Sequence, residues 1–227
     1  MTAHVAVIDP AIRVPELDCY NRMARSSRMP LTYHLPALFG LDSLHRATGD
    51  VRAVVVLGSG ASVNETHAWQ DGLRDWLAPL VERNVPMLGL CYGHQLLAQM
   101  TGGEVSWLHP DRTKEKGIRT VRLAADPLWG EAREVPLLVS HRETVVRVPP
   151  DAEVVGRSET CAVEALAWTK RPLWSFQSHP EATVAFAANN AVPLSEADAT
   201  VLAEGQALVD RFLESAGYPA PGGVPGR

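Results

Sequence analysis

The chain has 227 residues, 46% of them hydrophobic, so it can bury a large core, roughly 70% of the surface its unfolded form exposes. A formal charge of −5 gives no basic footprint for nucleic acid or an anionic membrane, and no apolar run approaches the ~18 residues of a transmembrane helix. Three cysteines, Cys19, Cys91 and Cys161, form no Cys-x-x-Cys and argue against a disulfide framework or a zinc site.

The N-terminus lacks a basic-then-apolar secretion signal, and with the cysteine usage this suits a reducing cytoplasm. Val5 to Ile8, ended by Asp9-Pro10, reads as the first strand of a buried sheet. Glu16 to Ser26 has helical spacing, with Leu17, Tyr20, Met23 and Ala24 on one face and a basic cluster of Arg22, Arg25 and Arg28. Leu31 to Leu35 is a second strand candidate. Ala53 to Leu57 is the clearest buried strand and runs into Gly58-Ser59-Gly60-Ala61-Ser62. That loop fits neither Gly-x-x-x-x-Gly-Lys-Ser/Thr nor Gly-x-Gly-x-x-Gly, so a tight strand–helix turn is the simpler reading than a phosphate cradle. Trp69, Leu73, Trp76, Leu77, Leu80 and Val81 follow an amphipathic helix, which Pro79 should kink or break.

Pro86 to Leu97 changes abruptly from an apolar strand run to helical spacing, with Leu96, Leu97 and Met100 on one face before Gly102-Gly103. Cys91 sits at the junction between Gly89 and Gly93, the Gly-x-nucleophile-x-Gly pattern of a sharp strand-to-helix turn. The dipole and free N–H groups of the following helix favour a thiolate there. An isolated Cys would read as a small buried apolar side chain; the glycine bracket turns the reading toward a nucleophile. Beyond it, Val105–Trp107, Ile118–Leu123, Leu137–Ser140, Val145–Val148, Glu153–Val155 and Val163–Ala167 read as short strands, with Asp111–Lys116 a charged mobile hairpin or loop. After the apolar run Leu173 to Phe176 come Gln177-Ser178-His179-Pro180-Glu181. A base and a carboxylate that orients it complete an activated-thiol site with Cys91. Ser195 to Ala216 is a final amphipathic helix opened by Ser195-x-x-Asp198, and 218–227 is expected to be a disordered tail. Strands alternating with helices imply an α/β fold over residues 1–217. Its open, mostly parallel sheet would carry helices on both faces and an antiparallel extension at one edge.

Gly89-Leu90-Cys91-Tyr92-Gly93-His94-Gln95 and His179-Pro180-Glu181 together resemble the two signatures of class I glutamine amidotransferases, the Cys-His-Glu family. Gly102-Gly103-Glu104-Val105, His109-Pro110 and Ser140-His141 are similar to its GMP-synthase-like, free-standing members. The resemblance implies a flavodoxin-like fold, no cofactor, and glutamine hydrolysis through a γ-glutamyl thioester on Cys91, with His179 as base and Glu181 orienting it. It implies an oxyanion hole from the Tyr92 N–H and one N–H of Gly58, Ser59 or Gly60, where the family carries a Gly-Gly-Pro-type triplet. It also implies contact of Gln95 with bound glutamine, whose α-amino and α-carboxylate groups would meet the backbone around Ser140, His141 and Arg142. Three functions stay open. The first is an ammonia donor to a separate synthase, since the chain has no P-loop and no Ser-Gly-Gly-x-Asp-Ser motif. The others are a self-sufficient γ-glutamyl amide hydrolase and a catalytically silent binding module.

Overall fold

The structure is a computed structural model and describes residues 2–195 and 198–216; the expected tail at 218–227 lies outside the described residues. In chain order the elements are β1 (His4–Ile8), α1 (Leu17–Ser26), β2 (Leu31–His34), α2 (Pro36–Phe39), α3 (Asp42–Arg46) and, after one 3₁₀ turn, β3 (Val51–Val56). They continue with α4 (Ala68–Glu82), β4 (Met87–Leu90), α5 (Tyr92–Met100), β5 (Glu104–Trp107), β6 (Glu115–Leu123), β7 (Arg133–His141) and β8 (Glu143–Arg147). The last are β9 (Ala152–Arg157), β10 (Ala165–Trp168), β11 (Leu173–Phe176), α6 (Val184–Asn189) and α7 (Ala199–Ala216).

Nine strands form one sheet in the order β2-β1-β3-β4-β11-β10-β9-β6-β7, while β5 and β8 pair in a separate ribbon. The half from β2 to β11 is parallel and forms the flavodoxin-like α/β core; from β11 outward the pairings are antiparallel. The buried strands explain why both faces need cover. In β3, Val54 and Val56 face one core with α4 and α5, while Ala53 and Val55 face another with α1 and α7. Strand residues alternate sides, so a strand apolar at every position must have helices above and below it.

The pairing of β11 with β4 positions the site. Phe176 lies opposite Leu90 and Leu173 opposite Met87, in parallel register. The chain therefore leaves both strands at the same end, delivering Cys91 from one and Gln177 to His179 from its neighbour. Helix α7 packs directly on the second of these segments: a Cβ at Gly205 would lie 2.9 Å from the Pro180 carbonyl oxygen, and Gln206 donates to the Ala182 carbonyl at 3.0 Å.

Three local expectations are revised. The buried face of α1 is Cys19 and Met23, with Leu17 and Ala24 exposed, because the helix meets the sheet rotated from the stripe that apolar spacing suggests. The Arg22 end of its basic cluster is paired with Asp210 of α7. Pro79 does not break α4, which runs on to Glu82. The last two residues of the charged excursion at 111–116 are strand: Glu115 and Lys116 open β6 opposite His141 and Ser140 of β7. Alternation in β6 leaves polar residues on its exposed face, so apolar content alone could not mark where it starts.

Candidate active site

Cys91 stands between β4 and α5 at φ 48°, ψ −96°, in backbone space that non-glycine residues seldom occupy. The flanking glycines permit the turn because main chain crowds both. A Cβ at Gly89 would sit 2.5 Å from the Gly93 carbonyl oxygen, and one at Gly93 would sit 2.2 Å from that of Val56. The Cys91 N–H donates to the Phe176 carbonyl at 2.8 Å, and its own carbonyl accepts from Gln95 at 3.1 Å, which fixes the elbow from both sides.

His179 is 4% exposed, and its Nδ1–H donates to Glu181 Oε1 at 2.9 Å. Its ring also packs on Phe186, centroids 4.5 Å apart. Gly58 lies against both the imidazole and the cysteine: a Cβ there would lie 2.7 Å from His179 Cε1 and 3.6 Å from the Cys91 Cβ. Burial alone would depress the imidazole, but the Cys91 thiolate and the Glu181 carboxylate outweigh it and raise its pKa to about 10. The site therefore favours the imidazolium form of His179. Nε2 makes no hydrogen bond to a described residue, and such base contacts commonly tighten only in the substrate complex.

Around this pair lies an open cleft of about 330 Å³, lined by Cys91, His179, Gly58, Ser59, Gly60 and Ser140 among others. The N–H groups of Gly58, Ser59 and Gly60 make no hydrogen bond to a described residue, whereas Leu57 donates to Ile8 and Ala61 to Ser59 Oγ. Ser59 Oγ in turn donates to the Pro10 carbonyl at 2.7 Å, tying the loop to the segment after β1. Tyr92 opens α5, so its N–H has no acceptor within the helix. Its phenol is buried in the core and accepts from Gln70 at 3.2 Å.

The remaining expected residues are largely committed to the protein. Gln95 Nε2 donates to the Glu143 carbonyl at 2.9 Å and to Gln177 Oε1 at 3.1 Å. His141 donates from Nδ1 to the Glu143 carbonyl at 2.9 Å. Burial, with the Arg119 guanidinium beside it, lowers its pKa to about 4, so it is neutral. Ser140 reaches the cleft and donates to Asn190 Oδ1 at 2.9 Å. Arg142 is exposed, and its side chain donates to the Arg112 carbonyl at 2.6 Å.

Two contributions escaped the sequence reading. Gln177 donates from Nε2 toward Cys91 Sγ at 3.7 Å, an N–H aimed at the sulfur. Its alternation with His179 and Glu181 was the available signal. The segment after β1 supplies a whole wall through Ala11, Ile12, Arg13, Val14 and Glu16. It is ordered by buried Asp9, whose carboxylate accepts from the N–H groups of Ala11 at 2.9 Å and Glu16 at 2.6 Å and from the Tyr33 hydroxyl at 2.5 Å. Lys114, from the loop before β6, and Asn190 and Phe186, after the His-Pro-Glu segment, complete the lining.

The family model described as glutamine amidotransferase class-I matches residues 40–191. Among curated relatives, a subunit of the glutamine-hydrolysing GMP synthase of Pyrococcus abyssi is 31% identical over 137 residues, 58% of this chain and 70% of that one. Its counterpart from Archaeoglobus fulgidus is 34% identical over 128 residues, 56% of this chain and 65% of that one. The chain thus spans about two thirds of the length of these relatives. Among solved structures, a glutamine amidotransferase from Thermotoga maritima superposes with a TM-score of 0.76 at 18% identity, covering 95% of this chain and 98% of that one. One from Methylobacillus flagellatus gives 0.67 at 21% identity, covering 95% and 93%. The structural likenesses speak to the fold; the family model, which takes in Cys91 and His179 alike, goes further, and the chain belongs to the class-I glutamine amidotransferases, a family of enzymes that hydrolyse the glutamine side-chain amide.

Proposed function

We propose that this chain hydrolyses the side-chain amide of glutamine through a covalent thioester on Cys91 and supplies the ammonia to a separate synthase subunit. The observation that carries the reading is the meeting, beside Gly58, of a strained cysteine and a histidine whose far nitrogen is held by a buried carboxylate. The Cys91 thiolate attacks the amide carbon. The oxygen takes up negative charge and is met by the Tyr92 N–H and one N–H of the Gly58–Gly60 loop. The imidazolium of His179 protonates the departing nitrogen, so ammonia leaves as the carbon–nitrogen bond breaks. Neutral His179 then takes a proton from water, whose oxygen adds to the thioester, and glutamate departs as the thiolate is restored. Glu181 holds the tautomer with the proton on Nδ1 and stabilises the cation.

Delivery to a synthase is favoured by the archaeal relatives, which are named as subunits of a glutamine-hydrolysing GMP synthase. One observation favours a self-sufficient γ-glutamyl amide hydrolase: Ile12 and Val14, exposed at 41% and 58%, offer apolar surface at the cleft for a substituent on the amide nitrogen. The deciding experiment measures ammonia release from glutamine by the isolated chain and with the proteins that co-purify with it. A donor shows weak activity alone and strong stimulation by its partner; high unaided turnover, or preference for a substituted amide, establishes the hydrolase. Cys91→Ser abolishes release in either case, and a glutamine-mimicking electrophile labels Cys91 ahead of Cys19 and Cys161, whose thiols burial holds in the protonated form. Near-normal release by Cys91→Ser removes the thioester mechanism.

A further inference from the structure

The cleft contains charged side chains that the chemistry above does not use. Glu16, Arg13 and Lys114 all line it, and the charged end of each makes no hydrogen bond or salt bridge to a described residue. Exposed cations such as Arg13 and Lys114 are commonly solvated, but Glu16 is partly buried and faces further negative charge. Its backbone N–H is tied to Asp9 at 2.6 Å, which fixes its main chain at the end of the segment that walls the cleft. Burial, then the Glu181 and Asp9 carboxylates, raise its pKa to about 7 against the opposing charge of His179, so its surroundings still disfavour the anion and would gain from a cation placed against it. Behind it Oε2 of Glu181, 1% exposed, also has no hydrogen-bond partner among the described residues. A carboxylate with no ion-pair partner among the described residues in the wall of a substrate cleft, with cations at other points of the same wall, is a layout suited to a zwitterionic ligand.

We propose that Glu16 is the ammonium-recognising residue of this cleft, receiving a positively charged amino group of the γ-glutamyl substrate. The inference rests on the hydrolase chemistry proposed above and names a specificity residue for it. The same chemistry has two sources: the α-ammonium of the glutamyl part, or an ammonium carried on a substituent of the amide nitrogen.

The test is calorimetric binding to the Cys91→Ala chain, with and without Glu16→Gln. The ligands are L-glutamine and its analogue lacking the α-amino group, and a γ-glutamyl aminoalkylamide and its alkylamide counterpart. Replacing Glu16 should weaken binding of the ammonium-bearing member of one pair roughly tenfold to a hundredfold, as expected for loss of a charge-assisted hydrogen bond. The ammonium-free member should stay nearly unchanged, and Glu16→Asp should recover part of the loss. The first pair responding places the ammonium on the α-carbon; the second places it on the leaving amine. Loss in neither pair, equal loss for both members of a pair, or no binding of any ligand overturns the proposal. Turnover by the unmutated chain is measured alongside. Absent turnover with intact, ammonium-dependent binding refutes the hydrolase reading and leaves this one standing.

Discussion

Gly58→Ala tests the geometry of the site with a single methyl group. The added Cβ would lie 2.7 Å from His179 Cε1, 3.5 Å from Nδ1 and 3.6 Å from the Cys91 Cβ. Non-bonded carbons settle at about 3.5–4.0 Å, so the ring or the loop must yield by about 1 Å. The ring has little freedom, held by Glu181 at 2.9 Å and packed on Phe186. Gly58 is not among the positive-φ residues, so alanine brings no backbone strain and the effect belongs to the clash. A misplacement of about 1 Å costs on the order of a hundredfold in rate, ~2.7 kcal/mol of barrier. The expected result is therefore a kcat for ammonia release down about a hundredfold, with little change in unfolding midpoint. If Gly58→Ala retains the kcat of the unmutated chain, His179 and Cys91 do not meet beside Gly58.

Two further outcomes concern the histidine and its carboxylate. By analogy with other triads, His179→Ala should lower kcat on the order of 10⁶-fold and Glu181→Gln about 10⁴-fold, because the carboxylate orients the ring but transfers no proton. Steady-state kinetics check this, and an unaltered Glu181→Gln enzyme removes the carboxylate from the mechanism. With its pKa raised from 6.5 to about 10, protonated His179 contributes stability that is fully present below about pH 6.5 and lost as pH rises through about 10. The unfolding midpoint of the unmutated chain should fall across that window more steeply than that of His179→Gln; equal slopes refute the elevated pKa.

The sequence made the parallel core and the elbow legible because each rests on local signals. Apolar runs gave β1, β3, β4 and β11, and the spacing of Gly89, Cys91 and Gly93 gave the turn, whose need for glycine lies in contacts within a few residues or with the next strand. The cleft wall after β1 was not legible for the opposite reason. Ala11 to Glu16 carries no motif, and its shape is imposed by Asp9, which looks in sequence like a residue that merely ends a strand. The antiparallel half was found only in pieces: β6 and β7 each run several residues past their apolar centres, because end residues such as Glu115, Lys116, Arg133 and Glu134 join the ladder without being buried. The fates of Gln95, His141 and Arg142 depend on partners far along the chain or on neighbours brought close by the β7–β8 connection, and no spacing encodes those.

Cys91 owes its conformation to the same long-range design. A non-glycine residue at φ 48° persists only when its neighbourhood over-determines it, at a cost of order 1–3 kcal/mol. Here the strand before it is held between β3 and β11, its N–H is taken by Phe176 of β11, and its carbonyl is taken by Gln95 of α5. The Phe176 carbonyl that receives that N–H lies three residues before His179, so the hydrogen bond that fixes the nucleophile's backbone also sets its distance from the base. His94 extends the coupling: fully buried, its pKa lowered by that burial to about 3 and therefore neutral, it contacts Ser175 Oγ of β11 through Nδ1 at 2.8 Å. The elbow and helix α5 are thus both fastened to the strand that leads to the base. Nucleophile and base are positioned as one unit by the β4–β11 pairing, which leaves the loops after β1 and before β6 free to differ in what the cleft admits.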